Sequence, residues 1–339
     1  MKPKFILSKE IALKQYKVVE NLCDLVSYSS KTNPLITKIL EENTKSFFSI
    51  HFKNELKHIQ DKSKVIFLAQ AWNEQDINEL IQQNITFFIV DNETDLNTLL
   101  SYLEKNPTPV YLLLRLKLKE RTLKTEKYFV FGMTSKRINE LIPLLRANTN
   151  IDKLGIHFHR KTQNMAEWSL KYEIENLLEQ QTLNDIDYIN IGGGLPSDYA
   201  NTNVKVIDSI ITKIQEFRTF LTKNNIKLII EPGRFISAPA IKLQTEILSI
   251  DENNITVNAS VYNSDMDALI VPVKLLVEGE GNGKPYVIKG LTPCSMDLFR
   301  YKVYLENPKI GDTITFLNTG AYNFTTNFCD LDEIETEIK

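Results

Sequence analysis

The chain has 339 residues, and its 40 lysines and arginines against 43 aspartates and glutamates leave a formal net charge of −3. That balance excludes a broad basic surface, and with it nucleic acid as the expected partner. With 42% hydrophobic and 24% charged residues the composition is that of a globular protein with a large core, longer than a usual single domain.

Taken in order, the chain opens with an apolar run of only three residues, Phe5 to Leu7, too short for a signal peptide, and no later run approaches a membrane span. Short β-rich runs then alternate with segments of helical period. The runs are Val26 to Ser30, Phe47 to Ile50, Val65 to Leu68, Thr86 to Val90, Val110 to Leu116, Gly155 to His159, Tyr188 to Ile191 and Leu228 to Glu231. Between them, helices are expected at Leu35 to Glu42, Lys53 to Gln60, Asn73 to Gln83, Glu93 to Glu104, Ser135 to Arg146, Asn164 to Gln180 and Lys205 to Thr222. Eight strands joined by helices favour an α/β fold with a closed (β/α)8 TIM-like barrel over an open doubly wound sheet. After Glu231 the texture becomes mostly β, with strands expected at Ala240 to Ile250, Asn254 to Ser260, Leu269 to Glu278, Lys284 to Ile288 and Thr313 to Leu317. The expected organisation is a barrel over 20–235 and a β-rich domain from 1–19 plus 236–339. The three cysteines, Cys23, Cys294 and Cys329, are too far apart for a disulfide framework or a zinc site, which points to a reducing, cytoplasmic setting.

Active sites of such barrels lie at the C-terminal ends of the strands. The first strand delivers Lys31 there, either a surface lysine before a proline-initiated helix or a partly desolvated amine able to attack a carbonyl. His157 and His159 share a strand face, as a metal pair, as satisfied structural histidines, or as an aromatic surface against a flat cofactor; no third metal ligand stands out. The seventh strand runs into Gly192, Gly193 and Gly194, and the eighth into Glu231, Pro232, Gly233 and Arg234. Glycine amides and an arginine at these two ends match the recurrent phosphate site of barrels. One phosphate across the mouth from a reactive lysine points to pyridoxal phosphate, and the spaced glycine pattern of dinucleotide binding is absent.

Lys31 in SYSSKTNP, His159 in GIHFHR, the glycines of NIGGGLP, Glu231 to Arg234 in EPGR, Cys294 to Asp297 in PCSMD and Gly320 to Tyr322 in GAY follow one another in the order of the fold-type III pyridoxal-phosphate decarboxylases. From Val26 to Tyr322 the chain resembles the ornithine, arginine, diaminopimelate and carboxynorspermidine decarboxylase group. The resemblance implies an alanine-racemase-like barrel with Lys31 as the lysine that carries the cofactor and His159 stacked on its ring. Gly193, Gly194, Gly233, Arg234 and Tyr322 would surround the phosphate, with Thr162 in the place of a phosphate-binding serine. Glu231 would keep the pyridine nitrogen protonated, which favours loss of CO2, whereas the arginine of alanine racemases would suppress it. Cys294 would manage the proton at Cα from the partner subunit's side of a homodimer with shared sites.

The substrate implied is a small molecule, a basic amino acid or carboxylated polyamine, with diaminopimelate, or a racemase or epimerase reaction, as the alternatives. Its distal group would be gripped by Asp297, Asp265 or Asp267. The cysteine loop is one residue shorter than the usual cysteine-to-acid spacing, HFHRKT lacks the usual Gly-Ser, and Asp265 and Asp267 read equally well as exposed loop acids.

Overall fold

A computed structural model describes residues 1–118, 130–202 and 204–339. The chain divides into two compact units. One comprises Lys17–Leu195 and Val206–Pro232, the other Met1–Tyr16, Pro196–Lys205 and Gly233–Lys339.

The first unit is a closed barrel of eight parallel strands: Leu25–Ser29, Phe47–Ile50, Val65–Ala69, Phe87–Val90, Val110–Arg115, Ile151–His157, Tyr188–Asn190 and Lys227–Ile230. Leu25 pairs with Ile229 and so joins the last strand to the first. The strands are apolar on both faces because one face meets the surrounding helices and the other fills the barrel. Ile66, Phe87, Ile89, Leu113, Tyr188 and Ile229 form a single buried cluster drawn from five strands. Within it Phe87 meets Tyr111 edge to face at 5.4 Å and Tyr188 at 6.0 Å.

This interior face has period two, and the same parity runs upward into polar residues. Phe47 is followed by Ser49 and His51, Leu113 by Arg115, Gly155 by His157 and His159, Tyr188 by Asn190, and Ile229 by Glu231. On these five strands one alternation therefore runs from the core at one end into polar residues at the other.

Several helices differ from expectation. Lys53–His58 is a 3-10 turn, because Glu55 turns back to accept the His51 and Phe52 amides at 2.9 Å each. The segment from Asn164 does not start as a helix. The Asn164 side chain accepts from the Glu167 amide at 3.1 Å, and regular helix begins only at Leu170–Leu177, followed by Gln180–Asp185. The stretch 1–19, expected to belong to the β-rich domain, is a strand only over Lys4–Leu7 and continues into the helix Lys9–Glu20.

The second unit is an eight-stranded sheet. Its long strand Ile241–Asp251 pairs with Lys4–Leu7, Asn254–Val257 and Thr313–Leu317, and Lys4–Leu7 also pairs in parallel with Thr336–Ile338. The expected strand Leu269 to Glu278 is instead a helical turn, Asp267–Ile270, and a two-residue strand, Leu276–Val277. Pro272 lies between them and cannot donate to a ladder. A strand at Leu298–Leu305 escapes a reading based on apolar runs because Arg300 and Lys302 interrupt it; Arg300 is buried and pairs with Glu280 at 2.9 Å.

Gly155 is where the barrel interior is tightest. A Cβ there would overlap the Tyr188 carbonyl and lie 2.6 Å from Leu113 Cδ2. Replacing Gly155 by alanine should cost about 1–3 kcal/mol of unfolding free energy in urea titrations, and an unchanged midpoint would show that the interior relaxes freely.

Candidate active site

At the C-terminal mouth of the barrel sits a buried carboxylate. Glu231 is 5% exposed, just past the eighth strand. Its Oε1 accepts from Ser49 Oγ at 2.7 Å and from Asn190 Nδ2 at 3.0 Å, and its Oε2 meets His157 Nε2 at 3.3 Å. Ser49 is braced in turn by Ser27 Oγ at 2.8 Å, and Asn190 Oδ1 accepts the Gly192 amide at 2.8 Å. Burial raises the Glu231 pKa, but the His157 imidazole and the donated hydrogen bonds outweigh it and hold the group well below the ordinary carboxylate range. Burial lowers the His157 pKa, opposed by the Glu231 charge, and among the described residues its enclosed Nδ1 has no hydrogen-bond partner. Nε2 is then the nitrogen that carries the proton toward Glu231.

Lys31 and His159 belong to the same mouth. Both keep accessible surface although protein closely surrounds them, the combination expected of side chains lining a concavity. Desolvation lowers the Lys31 pKa, opposed by the charges of Glu231 and Glu55. His159 Nδ1 accepts the Gly193 amide at 3.1 Å, and a side chain at Gly192 would come within 2.6 Å of that nitrogen. Gly192 itself has φ +64°, so the glycine both makes the turn and leaves room for the imidazole. A Cβ on Gly193 would lie 2.7 Å from the Glu231 carbonyl oxygen, and one on Gly194 would lie 3.0 Å from the Lys161 carbonyl. Asn164 donates its amide to Gly194 at 2.9 Å, which ties the loop carrying half-buried Thr162 to the glycine turn. Lys31, His159, Thr162, Gly193, Gly194 and Glu231 are thus brought together in one unit.

The remaining candidates lie in the other unit. Gly233 precedes the short helix Arg234–Ala240. Arg234 is buried, donates to Tyr199 Oη at 2.9 Å and forms an ion pair with Asp267. Its guanidinium lies 5.6 Å from the Tyr199 ring centroid and 5.5 Å from that of Tyr322. Asp265 and Asp267 are not exposed loop acids: they are 4% and 3% exposed. Among the described residues Asp265 Oδ2 is enclosed without a hydrogen-bond partner, and burial, with Asp267 beside it, pushes its pKa up to about 7. Asp297 is 2% exposed and spends both oxygens on its own unit, accepting from the Val261 amide at 2.9 Å, the Thr292 amide at 2.9 Å and Thr292 Oγ1 at 2.7 Å. Cys294 is a half-buried free thiol.

Sequence reasoning passed over Ser27, Ser49, Asn190 and His51. Among the described residues His51 Nδ1 is buried without a hydrogen-bond partner, and the His51 pKa is lowered to about 3 by burial and by the charge of Lys31. Their signal was the period-two register itself, two positions beyond a core residue.

Pyridoxal phosphate fits this chemistry. An ionised buried carboxylate with a single long contact on Oε2 can accept a ring N–H, an accessible imidazole offers a flat face, and a lysine of lowered pKa offers an amine. The glycine turn, closed to any Cβ, leaves backbone within reach of a phosphate. Among the described residues no group of three or more His, Cys, Asp or Glu side chains could hold a metal ion, and no helix is long and apolar enough to cross a membrane. Because the Glu231 pKa lies below its unfolded 4.5, the stability it contributes is full above that pH and is lost as pH falls through the native value. Below pH 4.5 the unfolding free energy of the native chain should therefore fall more steeply than that of Glu231→Gln; equal slopes in pH-dependent urea titrations would contradict the assignment.

Comparison with known proteins agrees with the geometry. The chain is 21% identical over 329 residues to Antizyme inhibitor 2 of Xenopus laevis, covering 86% of this chain and 70% of that protein. Two solved structures share its fold. One is a lysine/ornithine decarboxylase of Vibrio vulnificus complexed with putrescine (TM-score 0.79, 20% identity, 99% of this chain and 94% of that one). The other is a diaminopimelate decarboxylase of Helicobacter pylori complexed with L-lysine (TM-score 0.83, 18% identity, 100% and 92%). Residues 10–238 match the family described as "Pyridoxal-dependent decarboxylase, pyridoxal binding domain". The buried carboxylate, the lysine and the glycine turn lie within that match, and the chain belongs to the pyridoxal-dependent decarboxylases.

Proposed function

We propose that this chain removes CO2 from a basic amino acid or a carboxylated polyamine, releasing the amine, and acts as a homodimer. The observation that carries the reading is the buried Glu231, its Oε1 held by Ser49 and Asn190 and its Oε2 still able to accept, in the same mouth as Lys31. Bound pyridoxal phosphate supplies an electron sink for the pair left on Cα when CO2 departs. Glu231 keeps a proton on the ring nitrogen that strengthens this sink, and the Ser49 and Asn190 donors keep Glu231 from taking that proton itself. Lys31 Nζ, whose pKa desolvation lowers, would tether the cofactor and give way to the substrate amine. His159, oriented by the Gly193 amide, would offer its face to the ring, and Gly193, Gly194, Gly233, Arg234, Thr162 and Tyr322 would serve the phosphate. Cys294 returns a proton to Cα.

Of the three acids considered for the substrate's distal cation, Asp297 is committed to backbone amides and Asp267 to Arg234. We assign the role to Asp265, whose enclosed oxygen has no hydrogen-bond partner among the described residues and whose ionisation an arriving ammonium would restore. Diaminopimelate stands as the second substrate, supported by the likeness to a diaminopimelate decarboxylase; racemisation is disfavoured because a carboxylate stands where the racemases place an arginine.

Two measurements test the reading. CO2 release, with pyridoxal phosphate added, should be highest for one of ornithine, lysine, arginine, diaminopimelate or carboxynorspermidine; racemised substrate without CO2 would overturn it. Lys31→Ala should lose the visible absorbance of tethered cofactor and lower turnover by on the order of 10³ or more, whereas retained turnover would remove Lys31 from the chemistry.

A further inference from the structure

The cysteine does not stand alone. Tyr262 Oη lies 3.2 Å from Cys294 Sγ. Tyr262 is held on three sides. Its ring stacks on Phe328 with centroids 3.9 Å apart and an interplanar angle of 18°, its amide donates to Ser260 Oγ at 3.2 Å, and its carbonyl accepts the Thr326 amide at 2.9 Å. The cysteine loop is fastened to the same point. Asp297 donates its amide to the Cys294 carbonyl at 3.0 Å, and its carboxylate binds the amide of Val261, the residue before Tyr262. Thr292 Oγ1 completes the loop by accepting the Cys294 amide at 3.4 Å while donating to Asp297. Gly290 has no room for a Cβ against the Asp297 carboxylate, so the loop closes tightly over it.

We propose that Tyr262 is a positioning residue for the Cys294 thiol, its hydroxyl fixing Sγ and remaining hydrogen-bonded to sulfur once the proton has left. Asp297 serves the same arrangement by locking the cysteine loop to the tyrosine's own backbone. The proposal rests on the reading of Cys294 as the proton source. In that step the S–H bond breaks and a C–H bond forms at Cα from the electron pair left by CO2. The S–H pair stays on sulfur, Tyr262 Oη–H donates to the thiolate, and a proton from solvent restores the thiol. The two pKa values move in the matching directions. The hydrogen bond to Cys294 raises that of Tyr262 to about 12, keeping it a donor, and the bond from Tyr262 lowers that of the thiol.

The test is site-resolved alkylation by iodoacetamide across the pH range of thiol ionisation, on the full chain loaded with pyridoxal phosphate. Tyr262→Phe keeps the stacked ring and removes only the hydroxyl. A small-molecule thiol added to each sample serves as the reference, while buried Cys23 reports that the fold is intact. The Cys294 curve of Tyr262→Phe should shift to higher pH relative to that reference, and amine formed per CO2 released should fall. A Cys294 curve identical to the native one overturns the proposal. A Cys294→Ala variant with native rate and amine yield would instead overturn the proton-donor reading on which the proposal stands.

Discussion

A carboxylate withdrawn from water costs several kcal/mol unless donors replace its hydration. Around Glu231 that replacement is spread over the barrel. Ser49 comes from the second strand, His157 from the sixth and Asn190 from the seventh. No local segment could supply such a shell. It exists because eight strands close on themselves, and because each of these residues stands two positions beyond a residue of the packed interior. Core and candidate site are consecutive layers of one construction, and the buried charge of Glu231 is held by the closure that stabilises the fold.

The same register explains what the sequence reveals and what it hides. The strands and most of the helices announce themselves through apolar runs, and the glycine turn and Glu231 to Arg234 through residue types seldom placed together without reason. Ser49 and Asn190 do not, since a serine or asparagine at the end of an apolar strand reads as an ordinary interruption. Only closure brings them to Glu231, across sequence separations of 182 and 41 residues. Leu298–Leu305 was hidden for the converse reason: a buried arginine paired with Glu280 looks like solvent-facing polarity when only the sequence is read.

The acids show how identity and environment part company. Asp265, Asp267 and Asp297 are alike as letters, yet one is an organiser of a loop, one the counter-ion of a buried arginine, and one a carboxyl with an oxygen to spare. Burial turns each into a different instrument, and the difference lies in which donors surround it. On the proposed function, the acid whose hydrogen-bonding capacity the described residues leave unfilled is the one that would receive the substrate's distal cation.

The claim that organises all of this is that Glu231 acts as an anion toward the cofactor's ring nitrogen. It is tested most directly by the turnover number for CO2 release of Glu231→Gln at saturating pyridoxal phosphate. Glutamine preserves shape and can still hydrogen-bond, but it cannot hold the ring proton by charge. Turnover reduced by on the order of 10² with the cofactor fully bound is the predicted result; native turnover would contradict the account.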